Sequence, residues 1–314
     1  TYFAEGDFII AKITPCMENG KCAIAEGLTN GIGFGSSEFH TFRCHASEIL
    51  TKFLFLLLNQ TTVRKAAEDA MTGASGHRRV PAAFYEEMLI PVPPIPVQQQ
   101  VIDECAKIDE EYNATRMRIE TYRQKTADLF AELDAVMSTT EGNRLSLSDT
   151  EKFSVAIGKR VLDKELASNG TIPVYSANVT APFGFIDKLL ITDFSAPSVL
   201  WGIDGDWMTS YLPSDMPFYP TDHCGVLRCK NSEVNPRYLA HILEVEGRKM
   251  GFSRSYRASI DRVHGIAFTV PDISIQNNAM SKVADYEMAI KELEGSLEKI
   301  ASRRSEIIRK ALAE

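Results

Sequence analysis

Two basic turns carry the side chains best suited to chemistry: Ser75-Gly76-His77-Arg78-Arg79 and Ser253-Arg254-Ser255-Tyr256-Arg257. A guanidinium fork pairs a phosphate or takes a guanine edge bidentately, and small neighbours let another backbone come close. The plainer alternative is that Arg79 and Arg257 pair with a carboxylate of their own domain. Lys12, Lys21, Lys159 and Arg160 add isolated cations, for which an ordinary solvated surface is the alternative. Ser36-Ser37-Glu38 and Thr221-Asp222-His223 present hydroxyls and carboxylates. Such groups accept from cytosine N4 or pair with either base partner, but they also cap turns ahead of strands. Trp201 and Trp207 read as core or rim residues rather than stacking platforms.

Catalytic readings fail on spacing. Gly31-Ile32-Gly33-Phe34-Gly35 lacks the strand-to-helix setting and the downstream acid of a dinucleotide site, so it reads as a turn. His223, Cys224 and Cys229 lack a fourth soft ligand at metal spacing, and the cysteines read as reduced core residues. His40 and His77 have no spaced Ser or Cys partner for a nucleophilic triad. Val92-Pro93-Pro94-Ile95 lacks the polar first residue and the aromatic of an adenine-methyltransferase motif. The expectation is a non-catalytic chain with no cofactor and no metal.

Composition sets the frame for these residues. The 314 residues are 44% hydrophobic and 24% charged, ordinary for globular domains and long enough for two. No apolar run reaches the roughly 18 residues of a membrane span, and Phe53 to Leu58 reads as core. Six cysteines without Cys-x-x-Cys or a regular framework point to reduced thiols and a cytoplasmic setting. A formal charge of −8 argues against nonspecific coating of nucleic acid, so any basic surface must be local.

The elements that position these residues are written twice. Residues 89–100 (LIPVPPIPVQQQ) and 267–278 (AFTVPDISIQNN) match at an offset of 178, which pairs Pro93 with Pro271, Gln98 with Gln276, Ser75 with Ser253 and Arg79 with Arg257. Downstream, apolar positions recur in steps of four and three through Val101, Cys105, Ile108, Tyr112, Ile119, Tyr122, Leu129, Leu133 and Val136. The same offset lands on a second seam through Ala279, Val283, Tyr286, Ile290, Leu293, Leu297 and Ile300. Both are a/d heptad seams in one phase, interrupted by Thr115, Thr126 and Arg304. Each predicts a helix of about 55 Å at roughly 1.5 Å per residue. Prolines precede both helices, and a polar stretch from Ser138 to Asn143 reads as the linker after the first. Ahead of each helix, short β-like runs (Asp7 to Ile13, Phe39 to Arg43, Ser198 to Ile203, Gly225 to Arg228) alternate with turns. Arg43-Cys44 and Arg228-Cys229 correspond at an offset of 185, so a short length difference lies before the helix. The first copy opens at Thr1 opposite roughly Leu189 to Ser195, which predicts an N-terminally truncated first domain; truncation, disorder and fusion to a methyltransferase stay open.

This organisation resembles the specificity subunits of type I restriction-modification systems. The resemblance rests on Gly6-Asp7-Phe8-Ile9-Ile10-Ala11-Lys12-Ile13-Thr14-Pro15, Asn19-Gly20-Lys21, Gly33 to Phe39, Met71 to Pro81 and Pro93 to Gln100, in the family's order. In the second copy it rests on Gly170 to Asn178. It implies an α+β fold of two similar target-recognition domains, each followed by a long helix, with the helices paired as an antiparallel coiled coil. The expected divisions are a first recognition domain over 1–97, a helix over 98–140, a second domain over 141–274 and a helix over 275–314. The implied interface takes Ile108, Tyr112, Ile119, Tyr122 and Leu129 against Tyr286, Ile290, Leu293, Leu297 and Ile300. The implied function is recognition of a bipartite site on double-stranded DNA, with Lys12, Lys21, Ser36, Ser37, Ser75, His77, Arg78, Arg79, Lys159, Arg160, Ser253, Arg254, Ser255, Tyr256 and Arg257 as candidate contacts. The implied partners are methyltransferase subunits and, through them, a restriction subunit, with no membrane. A coiled-coil adaptor without DNA specificity and the recognition region of a fused restriction-methyltransferase are the alternatives.

Overall fold

The computed structural model describes residues 1–45, 47–74, 76–139 and 142–311; Ser75 therefore lies outside the described residues. The chain forms two compact units, Thr1–Glu120 with Lys291–Glu314, and Thr121–Ile290.

In the first unit, β2 (Phe8–Ala11) is the centre of a three-stranded antiparallel sheet, between β3 (Cys22–Ile24) and β5 (Phe39–Phe42). A separate two-stranded ribbon joins β1 (Tyr2–Ala4) to β4 (Ile32–Phe34). Helix α1 (Thr51–Leu58) is apolar almost all round, as befits a helix covered on two sides. Leu54, Leu57 and Leu58 meet Phe8 and Ile10 of the sheet, while Phe53 and Leu56 meet Val101, Cys105 and Ile308 of the long helices. Short helices α2 (Thr61–Asp69) and α3 (Ala82–Glu86) follow. Asp7 is buried just ahead of the central strand, where Arg43 donates to both carboxylate oxygens at 2.8 and 2.7 Å and the Ala4 N–H donates at 2.7 Å.

The second unit repeats this sheet in the same register. Numbering onward, β6 (Asn143–Ser146) pairs with β14 (Ala267–Val270), and β12 (Tyr219–Pro220), β8 (Ile172–Tyr175) and β9 (Gly184–Ile186) make a small mixed sheet. The main sheet runs β11 (Thr209–Leu212), β10 (Ser198–Gly202), β13 (Cys224–Cys229) and β7 (Phe153–Ile157), all antiparallel. Val199 faces Leu227 as Phe8 faces Phe42, and Trp201 faces Thr209 as Ile10 faces Cys22. The duplication read from the sequence is thus a duplication of strand order and pairing. Trp201 is fully buried, donates to the Ala258 carbonyl at 2.9 Å and lies over Gly225, where an added Cβ would stand 2.1 Å from the indole. Trp207 donates to Glu244. Helix α5 (Pro236–Met250) has proline in its first turn, an Asn235 cap accepting from two backbone N–H groups, and Gly251 at φ +78° as its stop. The shift in offset from 185 to 178 falls here: the first copy breaks after α1 and restarts as α2, whereas α5 runs on. Helix α6 (Ile260–His264) completes the unit.

The long helices are α4 (Ile95–Thr139) and α7 (Ile273–Ala311). Pro96 is tolerated because the first helical turn has no intrahelical N–H bonds to lose. Burial follows the seams: Val101, Cys105, Ile108, Thr115, Ile119 and Leu133 are buried on α4, and Ala279, Val283, Leu293 and Ile300 on α7. Two of the three interruptions are satisfied by hydrogen bonds within their own helix, and the third forms an ion pair. Thr115 and Thr126 donate to the carbonyls of Glu111 and Tyr122 at 2.8 and 3.0 Å, and Arg304 lies 3.4 Å from Asp109. Within the first unit Arg303 reaches Glu111 at 2.9 Å while Cys105 packs with Ile308, so partner numbers run in opposite directions. Within the second, the rings of Tyr122 and Tyr286 lie 5.5 Å apart and Leu133 packs with Met280 and Val283.

Each long helix is tied to its domain by one buried glutamine. Gln98 and Gln276 are both wholly inaccessible. Gln98 Oε1 accepts from the Leu50 N–H at 2.8 Å, and its Nε2 donates to the Glu48 and Pro93 carbonyls at 2.9 and 2.7 Å. Gln276 Oε1 accepts from the Asn235 N–H at 2.9 Å, and its Nε2 donates to the Glu233 and Pro271 carbonyls at 3.0 and 2.8 Å. Leu50 and Asn235 are the residues that precede α1 and α5.

Two outcomes follow from this packing. The Arg43 guanidinium holds the Asp7 carboxyl below its ordinary value near 3.8. The resulting stability is present above that value and lost as pH falls through the folded-state value. Urea midpoints should therefore drop between pH 5 and pH 2.5, with a shallower drop in Asp7→Asn; equal slopes would contradict the assignment. Leu293→Asp buries an unpaired carboxylate on the seam and should lower stability by about 3 kcal/mol or more in urea titration.

Candidate nucleic-acid interface

Backbone pairing sets out the basic loop of the first unit. Thr72 and Arg79 exchange two backbone hydrogen bonds at 3.0 and 2.8 Å, which close a loop in which Gly73 and Gly76 have positive φ. The Val80 N–H donates to the Lys12 carbonyl, and the Lys12 N–H to the Glu38 carbonyl, which ties the loop to the extension of β2 and the turn before β5. Arg79 forks onto Glu38, donating to both oxygens at 2.9 Å, and donates a third bond to the His77 carbonyl. Arg79, with Lys12 and His77 also facing it, holds the Glu38 carboxyl below the usual carboxylate range. Ser36 accepts from the Glu38 N–H at 3.1 Å, which is the turn-capping alternative; Ser37 beside it is exposed. Arg78 points the other way, donating to the Glu68 and Met71 carbonyls where α2 ends. Lys21 is exposed ahead of β3.

The second unit places its counterpart through the same bonds. The Ala258 N–H donates to the Ile203 carbonyl as Val80 does to Lys12, and the Ile203 N–H to the His223 carbonyl as Lys12 does to Glu38. Arg257 thus stands where Arg79 stands, and His223 where Glu38 stands. The carboxylate comes from elsewhere: Asp204 accepts from Arg257 Nε at 2.7 Å on one oxygen and pairs with His223 on the other. Ser253 and Tyr256 exchange backbone bonds at 3.0 and 3.1 Å, and the hydroxyls of Ser253 and Ser255 lie 3.1 Å apart. The Arg262 guanidinium covers the Tyr256 ring at 4.0 Å. Arg254 projects into solvent. Lys159 and Arg160 are exposed after β7, and the Lys159 N–H donates to the Pro220 carbonyl, next to the Thr221 turn, where Thr221 Oγ1 accepts from the His223 N–H. Gly158 fits there because a Cβ would stand 1.9 Å from the Pro220 oxygen.

Both arginines therefore pair with carboxylates of their own unit, as the plainer sequence reading allows. Those pairs are far from buried: the Arg79 and Arg257 side chains are 43% and 58% exposed. Exposed pairs of this kind are worth about 0–1 kcal/mol, so exchange of the carboxylate for an incoming phosphate or guanine edge costs little. Sequence reading missed Asp204. It follows Ile203 as Ile13 follows Lys12, so the repeat offered an isoleucine at its place; only its charge beside a strand end marked it.

Residues 150–301 match the family model of the type I restriction modification DNA specificity domain. Over 102 residues the chain is 47% identical to the type I restriction enzyme EcoAI specificity subunit of Escherichia coli, which is 32% of this chain and 17% of that protein. Over 137 residues it is 34% identical to the EcoEI specificity subunit of Escherichia coli, 42% of this chain and 23% of that one. These matches span less than a quarter of either relative. The crystal structure of the S subunit of a type I restriction-modification system from M. genitalium aligns with 99% of this chain and 84% of its own, with a TM-score of 0.62 at 15% identity, a likeness of fold. The fold is thus that of a duplicated protein of mixed helix and sheet with a long C-terminal helix. More particularly, residues 150–301 are similar to the DNA specificity domain of type I restriction-modification systems, and shorter stretches are similar to the specificity subunits of such systems.

Because the loop is pinned by backbone bonds rather than by its surface ion pair, Glu38→Ala should change unfolding free energy by less than about 1 kcal/mol in urea titration. A much larger loss would show that the Arg79 fork holds the loop in place.

Proposed function

We propose that this chain is the non-catalytic, DNA-reading part of a type I restriction-modification complex. Domains over 1–97 and 141–274 each read one half of a bipartite duplex site. Helices over 98–140 and 275–314 pair as an antiparallel coiled coil through Ile108, Tyr112, Ile119, Tyr122 and Leu129 against Tyr286, Ile290, Leu293, Leu297 and Ile300. The coiled coil sets the gap between half-sites and docks methyltransferase subunits, through which a restriction subunit joins. The observation that carries the reading is the recurrence of an exposed arginine, Arg79 and Arg257, at the same place on the same duplicated sheet. A fold that needed the pair only for stability has no reason to present it twice on an open loop. Around each arginine, His77, Lys12 and Ser37, or Arg254, Tyr256 and Ser255, complete a contact surface, while Lys21, Lys159 and Arg160 serve phosphates. Arg78 supports the loop from behind through its bonds to the end of α2. Among the described residues no helix is long and apolar enough to cross a membrane, which suits a cytoplasmic complex on DNA.

Each arginine is expected to govern a different half-site. In the assembled complex, Arg79→Ala and Arg257→Ala should each relax base preference in one half only, at about 1–3 kcal/mol, as measured by competition with base-substituted duplexes. Uniform weakening, with a salt slope shallower by about 0.9, would assign that arginine to a phosphate. Affinity that responds to neither base sequence nor salt would favour a coiled-coil adaptor.

A further inference from the structure

We infer that Gln98 and Gln276 are positioning residues that set the tolerance of the complex to the gap between half-sites; the inference rests on the bipartite reading proposed above. A carboxamide offers two donors and an acceptor in one plane, and each glutamine commits all three. The acceptor takes the N–H of the residue preceding the domain's helix, one donor goes to the turn two residues earlier, and the other to the proline exit. Three segments are held by one side chain: the reading domain, its exit and the start of the long helix. Both side chains are sealed from water.

Apolar packing alone would hold these segments together just as firmly. It would not fix their angle, because dispersion and burial are non-directional whereas three bonds from one rigid plane are not. The same three bonds at both helix starts, in domains whose sheets have diverged to Phe8-Ile9-Ile10 and Val199-Leu200-Trp201, mark a geometry that both copies keep. Angle matters because the reading loop lies at the end of a lever. A domain of this size gives a lever of about 20 Å, and a turn of about 10° at its base moves the loop by about 3.5 Å. That is close to the rise of one base pair, about 3.4 Å. A loosened glutamine joint therefore blurs the gap by about one base pair without touching the residues that read bases.

Gln98→Met and Gln276→Met keep the side-chain volume and remove all three bonds. The full chain, assembled with its methyltransferase partner, would be expressed in cells lacking other modification systems and the methylated sites mapped across the genome. The parent should mark two half-site sequences at one gap. Each variant should mark the same two sequences and also gaps one base pair longer or shorter, at roughly a tenth or more of the parental level. Unchanged half-sites at a single unchanged gap, with methylation retained, would overturn the inference. If a methionine variant methylates nothing, Gln98→Glu decides, since it keeps the acceptor for the Leu50 N–H and loses only the donors. A single parental gap in that variant would also overturn the inference, and extra gaps would support it. Failure of the functional reading looks different: the parent itself would mark no bipartite site.

Discussion

Two buried carboxamides hold this architecture together. Wherever a sheet-bearing domain hands over to a long helix, the chain must turn out of a proline-containing exit, whose missing N–H groups leave carbonyls in need of donors. Gln98 and Gln276 supply those donors and, with the oxygen left over, accept from the residue that precedes the domain's own helix. Both the basic loops and the seams take their placement from that handover. The loops hang on sheets whose helices begin at the glutamine's acceptor bond, and the seams start one turn beyond the glutamine itself.

Function in this arrangement is divided between rigid and exchangeable interactions. The rigid ones are buried and directional: the glutamine bonds and the indole of Trp201 against Gly225. The exchangeable ones are half-exposed ion pairs at the loop edges, where Glu38 or Asp204 neutralises an arginine without burying it. Such a carboxylate lowers nonspecific attraction to phosphate, in keeping with the net charge of −8, and leaves the guanidinium fork free to trade one bidentate partner for another.

Much of this was legible in the sequence, for identifiable reasons. Heptad spacing is a direct image of burial on a helix, so Val101, Cys105, Ile108 and Ile119, and Val283, Leu293 and Ile300, could be read as inward-facing. The offset repeat transmitted sheet register, because paired strands diverge in side chains before they diverge in alignment. Other features were not legible. The change of offset showed that a length difference existed but not that the first copy breaks its helix where α5 runs on. Arg78 and Arg79 are neighbours of identical chemistry, yet one supports a helix end and the other faces a carboxylate, a choice made by backbone pairing at Thr72. Asp204 was hidden because an ion-pair partner is chosen by tertiary proximity. Gln98 and Gln276 were visible as matched letters, but their three bonds belong to segments far apart in sequence.

The proposal that the two loops read separate tracts of one duplex is tested by photo-crosslinking groups placed singly at positions 79 and 257 of the assembled complex, on duplex carrying its methylated site. Position 79 should crosslink only within one half-site and position 257 only within the other, with the intervening gap unmarked by either. Crosslinks from both positions to the same tract, or to none, would contradict it.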